Sequence, residues 1–195
     1  MRVIAGKAGG IPLRIPKSGL RPTMDMVRGA IFSSLAESVP GARVLDLFAG
    51  SGSLGIEALS RGAESALLVE SDRRACEAIR ANLLQTRLEA EVVCMDVFSF
   101  LARRLEPASF DLAFADPPYL KEVGAQDIAA RLLQQPALAK CLVDGGILVL
   151  EVARAWPLPD DSLWNCLKRK RYGATETLFL VPRSTSDHLA THSPP

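Results

Sequence analysis

From Arg43 onward the chain alternates short apolar runs with stretches of helical period, and this alternation restricts the possible folds more than any other feature. Arg43–Leu47, Ser65–Val69, Glu91–Met95, Phe110–Ala115 and Ile147–Val152 read as strands. Between them lie helical segments: Leu54–Ser60, Arg73–Thr86 with Ala75, Ile79 and Leu83 on one face, Phe98–Leu105, and Ile128–Leu142 broken by Pro136. Gly62 is placed to stop the first of these, and Gly145-Gly146 to turn the chain into the fifth strand. Lys168–Tyr172 and Glu176–Val181, separated by Gly173-Ala174, then read as a closing antiparallel pair. Strands joined through helices pair in parallel, since each crossover returns the chain to the same end of the sheet. The expected fold class is α/β with a mainly parallel sheet, and such sheets take ligands at the carboxyl ends of their strands.

Upstream, residues 2–5 and 11–15 flank Gly9-Gly10 as a hairpin would. A helix is expected from Thr23, which can cap it, because Val27, Ile31 and Leu35 recur every four residues and Phe32 widens the stripe. Pro40-Gly41 ends that segment. A length of 195 residues suits one domain with a small appendage, divided here into a basic hairpin and helix (1–40), the α/β domain (41–182) and a disordered Ser/Thr/Pro-rich tail (183–195). With 48% hydrophobic and 23% charged residues, wholesale disorder is excluded. No apolar run approaches the roughly 18–20 residues that cross a bilayer, and no signal-peptide core opens the chain, so a cytoplasmic protein without membrane contact is expected. Cys76, Cys94, Cys141 and Cys166 stand far apart beside only two histidines. Reduced, mostly buried thiols and no metal follow from that spacing.

A net charge of +1 hides a segregation. Residues 1–28 carry Arg2, Lys7, Arg14, Lys17, Arg21 and Arg28 against Asp25 alone, and residues 168–195 carry Lys168, Arg169, Lys170, Arg171 and Arg183 against Glu176 and Asp187. The stretch between them holds 12 basic and 19 acidic groups. Basic ends on an acidic body suit docking of a polyanion, with solvated surface charge as the plainer alternative. Lys168–Arg171 is open to both readings. Trp156 and Trp164 are expected to be partly buried near the last helix, and His188 and His192 fall in the tail.

Four constellations follow strand ends. Asp46-Leu47-Phe48-Ala49-Gly50-Ser51-Gly52-Ser53 places two glycines where the backbone must turn sharply against a ligand, ahead of a helix with free N–H groups. Gly50 to Gly55 fits a dinucleotide fingerprint, yet Asp46 beside the loop would repel a pyrophosphate. A carboxylate there suits a ligand with a cationic amino group, such as S-adenosylmethionine. Glu70 ends the second strand, 18 residues after Gly52, where an acid can accept from both ribose hydroxyls; Asp72 beyond it is expected to cap the next helix. Asp96-Val97 follows the third strand, either to hold an adenine through the carboxylate and the Val97 N–H or to cap a helix. Asp116-Pro117-Pro118-Tyr119 follows the fourth. Two prolines make the backbone extended and remove two donors, leaving the Asp116 carboxylate and Pro117 carbonyl as acceptors. Such a pair grips a planar exocyclic amine, aims its lone pair at an electrophile and stabilises the charge that develops on nitrogen. Tyr119 can stack on a base drawn out of its helix.

The spacing of Asp46–Gly52, Glu70, Asp96 and Asp116–Tyr119 is similar to that of the class I S-adenosylmethionine-dependent methyltransferases with a D/N-P-P-Y/F motif. Ile4-Ala5-Gly6, Leu13-Arg14-Ile15-Pro16, Arg21-Pro22-Thr23 and the run from Asp46 to Ala63 narrow it, and closely resemble the bacterial guanine-N2 methyltransferases of small-subunit (16S) ribosomal RNA, the RsmD type. The likeness runs from about residue 2 to 182. It implies a Rossmann-like seven-stranded sheet with an antiparallel last strand, and a basic N-terminal hairpin and helix beside the active site. The expected partner is ribosomal RNA, free or in a small-subunit assembly particle, and the expected state is a monomer. By position the likeness implies that Asp46, Phe48, Ala49, Gly50, Ser51, Gly52, Glu70, Asp96, Val97 and Asp116 hold the cofactor, that Asp116, Pro117 and Tyr119 hold the amine, and that Arg21, Thr23 and Arg28 line the RNA side. One departure stands out: after Arg-Pro-Thr the family continues Thr/Ser-Asp-Arg, whereas this chain has Met24-Asp25-Met26, leaving Arg28 as the nearest arginine. Two other readings stay open at this level, an adenine-N6 methyltransferase of DNA or RNA and a non-catalytic RNA-binding or ribosome-assembly module.

Overall fold

A computed structural model describes residues 1–15, 22–103, 105–118, 127–159 and 163–183. The elements run α1 (Pro22–Leu35), β1 (Arg43–Leu47), α2 (Ser53–Ser60), β2 (Ser65–Glu70), α3 (Arg73–Thr86), β3 (Glu91–Cys94), α4 (Val97–Arg103), β4 (Phe110–Ala115), α5 (Ile128–Leu133), α6 (Pro136–Cys141), β5 (Leu142–Ala153), β6 (Trp164–Tyr172) and β7 (Thr175–Pro182). The seven strands form one sheet in the order β3-β2-β1-β4-β5-β7-β6. Pairing is parallel from β3 to β5, while β7 runs antiparallel between β5 and β6. The expected Rossmann-like class I sheet is thus present, with its reversal of strand order between β1 and β4.

Alternation along each strand divides the core in two. One face carries Val44, Leu68, Phe114, Val149 and Phe179 under α1, α2 and α3, whose Phe32, Ile56 and Ile79 are buried against it. The other carries Leu45, Val69, Ala113, Leu150 and Leu178 against Phe100, Leu132 and Leu138 of α4, α5 and α6. Both faces are apolar because both are covered by helices. Trp164, fully buried, opens β6 and donates from Nε1 to the Leu133 carbonyl at 3.0 Å; it belongs to a strand and not to a helix. Trp156 is half-buried and bonds Asp127 Oδ2 at 2.6 Å.

Where the structure departs from the expected boundaries, the reasons are local. Helix α1 begins at Pro22, whose fixed φ suits a first helical turn, so Thr23 lies inside that turn, beyond the capping position. Gln134 and Gln135 separate α5 from α6 because Pro136 cannot continue the ladder. Gly145-Gly146 does not turn the chain before β5: the register with β4 jumps from Phe110↔Leu142 to Leu112↔Ile147, so the glycines sit in a bulge within a longer strand. Cys76 and Cys141 are buried as expected, whereas Cys94 and Cys166 are exposed because β3 and β6 are the sheet's edges. No helix among the described residues is long and apolar enough to cross a membrane.

Residues 1–15 make a hairpin with one bridge, Arg2↔Pro12, closed by Val3 N–H to the Ile11 carbonyl at 2.9 Å. Val3, Ala8 and Leu13 join the α1-side core. Glu57 of α2, with no exposed surface, accepts from Ile4 N (2.7 Å), Ala5 N (3.1 Å) and Arg61 Nε (2.7 Å). Ser60 accepts from Ala8 N at 2.9 Å. Gly6, at φ +84°, passes so close that an added Cβ would stand 1.8 Å from the Ser60 carbonyl oxygen. Gly29 in α1 is the opposite case, since a Cβ there would meet only Ile4 Cδ1 at 3.7 Å.

These two glycines are expected to respond with opposite sign. Gly29→Ala should raise stability by about 0.5–1 kcal/mol through helix propensity, and Gly6→Ala should lower it by about 1–3 kcal/mol through strain and overlap; denaturant midpoints at constant slope measure both.

Candidate active site

The cleft is built from the ends of β1 and β4, where the strand order reverses. A cavity of about 300 Å³ opens there, lined by Asp46, Phe48, Ala49, Gly50, Ser51, Ser53, Leu54, Asp72, Arg74 and Asp116, with Met1 and Ile15 contributed by the N-terminal segment. Its backbone is unusual: Phe48, Gly50 and Gly52 have φ of 56°, 57° and 76°. Gly52 lies behind the loop, where a Cβ would come within 3.0 Å of Leu68 and 3.2 Å of Ile79. Phe48 packs edge-on against Phe98 at 6.4 Å, and the Arg131 guanidinium covers the other ring's face at 3.7 Å.

Asp46 is 1% exposed and accepts the Gly55 N–H through Oδ2 at 2.8 Å. Gly55 permits that approach, because a Cβ there would stand 3.1 Å from the same oxygen. Loss of water pushes the Asp46 carboxyl up to about 7, with the nearby Glu70 charge adding and the Gly55 bond opposing. Glu70 braces the loop: Oε2 accepts from Gly50 N at 2.8 Å, and Oε1 from Ser71 N and Asp72 N at 2.7 and 2.8 Å. Asp116 stands at the open mouth after β4, followed by the buried Pro117 and the exposed Pro118. Its carboxyl is also raised, by desolvation, then by Glu151 and by Asp46.

The structure therefore brings Asp46, Phe48, Ala49, Gly50, Ser51 and Asp116 around one cavity. Glu70, Asp96 and Val97 do not line it. Asp96 caps α4, accepting from Ser99 N at 2.9 Å, and Asp72 caps α3, accepting from Arg74 N at 2.7 Å. Arg28 is 3% exposed and does not face the cleft: its Nη2 bonds the Arg2 carbonyl and Asp25 Oδ1, and Glu57 lies 3.7 Å from its Nε. Desolvation lowers its pKa despite those acids. A guanidinium fixed in this way ties α1 to the hairpin and to α2, and offers no side chain to RNA. Met26, in the departure from the family pattern, is 66% exposed. Arg21, Tyr119, the histidines and the tail from residue 184 lie outside the described residues, as does the side chain of Thr23. Arg183 is described: its N–H bonds the Leu163 carbonyl at 2.8 Å.

One site residue had no signature in the sequence. Asn82, fully buried on α3, donates to the Ser51 carbonyl at 2.9 Å and the Arg14 carbonyl at 3.0 Å, and accepts from Arg14 N at 2.7 Å. It joins the glycine loop to the N-terminal segment. A polar residue among the apolar positions of α3 was the available hint.

The raised Asp46 carboxyl fixes the sign of a pH effect. Its folded pKa exceeds its unfolded value of about 3.9, so the folded state holds the extra proton between those limits and stability falls as pH rises from about 4 to about 7, levelling above. Asp46→Asn keeps an acceptor for Gly55 and removes the titration. The melting temperature of that variant relative to the native chain is expected to climb over the same interval and then stay constant.

The Conserved hypothetical protein 95 family profile matches residues 1–181. The chain is 44% identical over 121 residues to the Ribosomal RNA small subunit methyltransferase D of Escherichia coli (strain K12), an alignment spanning 61% of this chain and 60% of that relative. To the protein of the same name from Haemophilus influenzae it is 34% identical over 177 residues, 89% of each chain. The solved structure of yhhF from Escherichia coli superposes with a TM-score of 0.79 at 32% identity, covering 95% of this chain and 99% of that one. Similarity of this extent, across both the glycine loop and the strand-end acid motif, means that the chain belongs to the RsmD-type family described as Conserved hypothetical protein 95.

Proposed function

We propose that this chain transfers a methyl group from S-adenosylmethionine to the exocyclic N2 amine of a guanine in small-subunit ribosomal RNA. The observation that carries the reading is the placement of Asp116-Pro117-Pro118 at the mouth of the cavity whose floor holds Asp46. The names of the Escherichia coli and Haemophilus influenzae relatives support ribosomal RNA as the substrate.

The residues present fit the cofactor. Asp46, desolvated and held near neutrality in the free chain, gains a partner in a cationic amino group, which favours its ionised form. Glu70 Oε1 accepts from Ser71 N, Ser71 Oγ and Asp72 N, whereas Oε2 accepts from Gly50 N alone among the described residues, so Oε2 is the oxygen with room for a ribose hydroxyl. Gly50 presents bare backbone to the cavity. The bound cofactor supplies an electrophilic methyl group on a sulfonium.

The chain's own part concerns the nitrogen. An aromatic amine is planar and a poor nucleophile, since its lone pair is delocalised. Acceptors at Asp116 and the Pro117 carbonyl hold its two hydrogens, favour a pyramidal nitrogen and stabilise the positive charge that grows during attack. Pro117 and Pro118 keep these acceptors extended with no competing donors. Residues 1–40 form the RNA side in this reading, with Arg21 and Thr23 facing the nucleic acid, Tyr119 stacking on the base, and residues 41–182 carrying the methyl transfer.

Asp116→Ala is expected to lower the methylation rate at least about 10²-fold while S-adenosylmethionine affinity stays within a few-fold in calorimetry. An undiminished rate would remove Asp116 from this role. Nucleoside mass spectrometry of ribosomal RNA from a deletion strain should show loss of N2-methylguanosine; loss of N6-methyladenosine would instead favour an adenine amine.

A further inference from the structure

Register places a second carboxylate beside Asp116. Ala115, the last residue of β4, pairs with Leu150 of β5, so the next residues, Asp116 just past β4 and Glu151 within β5, lie side by side. Alternation sends both to the α1-side face, since Phe114 and Val149, two residues earlier, belong to that core. Across the following antiparallel pair, Glu151 is in register with Thr177 of β7, two residues from Phe179 on the same face. Thr177 has no exposed surface, and its hydroxyl has no hydrogen-bond partner among the described residues. The Tyr172 hydroxyl on β6 is likewise buried without one. Beside the amine-gripping acid, then, stands another carboxylate, and the neighbouring strands β7 and β6 carry buried hydroxyls with no hydrogen-bond partner among the described residues.

Unpaired buried polar groups lower stability unless a ligand meets them. The ligand that fits two adjacent acceptors carries two adjacent donors. Guanine presents N2–H and N1–H side by side on one edge. Adenine and cytosine pair their amine with a bare ring nitrogen, whose lone pair would confront the second carboxylate. Resting on the guanine-N2 reading above, we infer that Glu151 is the specificity-determining residue that accepts the N1–H of the target guanine while Asp116 holds its amine. Burial raises the Glu151 carboxyl against the opposing hydrogen bond of the Thr175 side chain, and a further donor arriving at it favours the ionised acceptor. Sites built to receive a substrate N–H reject analogues lacking it, because the buried acceptor is then left unmet.

2,6-Diaminopurine separates the two contacts, for it keeps the 2-amine and has a lone pair at N1. The test uses the full chain and a small-subunit RNA in which the guanine methylated by the native protein, mapped first by nucleoside mass spectrometry, is replaced by 2,6-diaminopurine. The native chain should prefer guanine by about 10²-fold or more in kcat/KM, and Glu151→Ala should reduce the preference to a few-fold. Glu151→Gln, whose amide can donate to the bare nitrogen, should reduce it as well, and carries the test alone if the alanine variant fails to fold. S-adenosylhomocysteine affinity should stay within about twofold in every folded variant. A native chain indifferent to the replacement, or variants that keep the full preference, would overturn the role of Glu151 while leaving guanine methylation standing. Absence of N2-methylguanosine from every native reaction would overturn the parent reading and this role with it.

Discussion

A single hydrogen bond from Gly55 N–H to the buried Asp46 carboxylate joins the end of β1 to the first turn of α2 and sets the position of everything between them. The loop from Phe48 to Gly52 spans that junction with three residues at positive φ, which Gly50 and Gly52 adopt freely and the non-glycine Phe48 adopts only with support. The support comes from three sides: Val69 accepts from Ala49 N at 3.1 Å, Glu70 accepts from Gly50 N, and Asn82 holds the Ser51 carbonyl. An acid in so dry a place is costly in isolation, and its proton affinity rises accordingly. The site is therefore organised around a charge that the protein alone accommodates poorly and a cationic ligand would accommodate well.

The N-terminal segment belongs to the same construction. Its backbone N–H groups are received by Glu57 and Ser60 on α2 and by Asn82 on α3, and Met1 and Ile15 reach the cavity. Glu57 has Arg28 and Arg61 about it, so the buried acid that anchors the hairpin is itself neutralised by α1 and α2. Removing one member of such a group leaves the others charged and dry. A basic segment expected to meet RNA thus commits Arg28 to its own attachment.

Much of this was legible beforehand. Short apolar runs set between stretches of helical period located the strands, and the acids and glycines after strands one and four announced the cleft, because side-chain chemistry and backbone freedom are properties of residues in order. The readings that shifted depend on neighbours remote in the chain. Gly145-Gly146 looks like a turn until β4 supplies a partner on both sides of it. Asp96 was open to a ligand or a helix end, and only the folded chain shows its Oδ1 accepting from Ser99 N at the start of α4.

By itself the sequence determined the succession of strands and helices, the glycine loop and the proline-stiffened acid motif, since each rests on local sterics and on periodicity within one segment. Only tertiary structure decided which charged groups face water. Arg28 and Asp25 are three residues apart, but what buries the arginine is Arg2 and Glu57, brought there by two other segments. Asp116 and Glu151 are 35 positions apart in sequence and neighbours in space, because parallel pairing sets Ala115, the end of β4, beside Leu150 within β5. Desolvation and strand register are collective quantities, and no stretch of chain contains them.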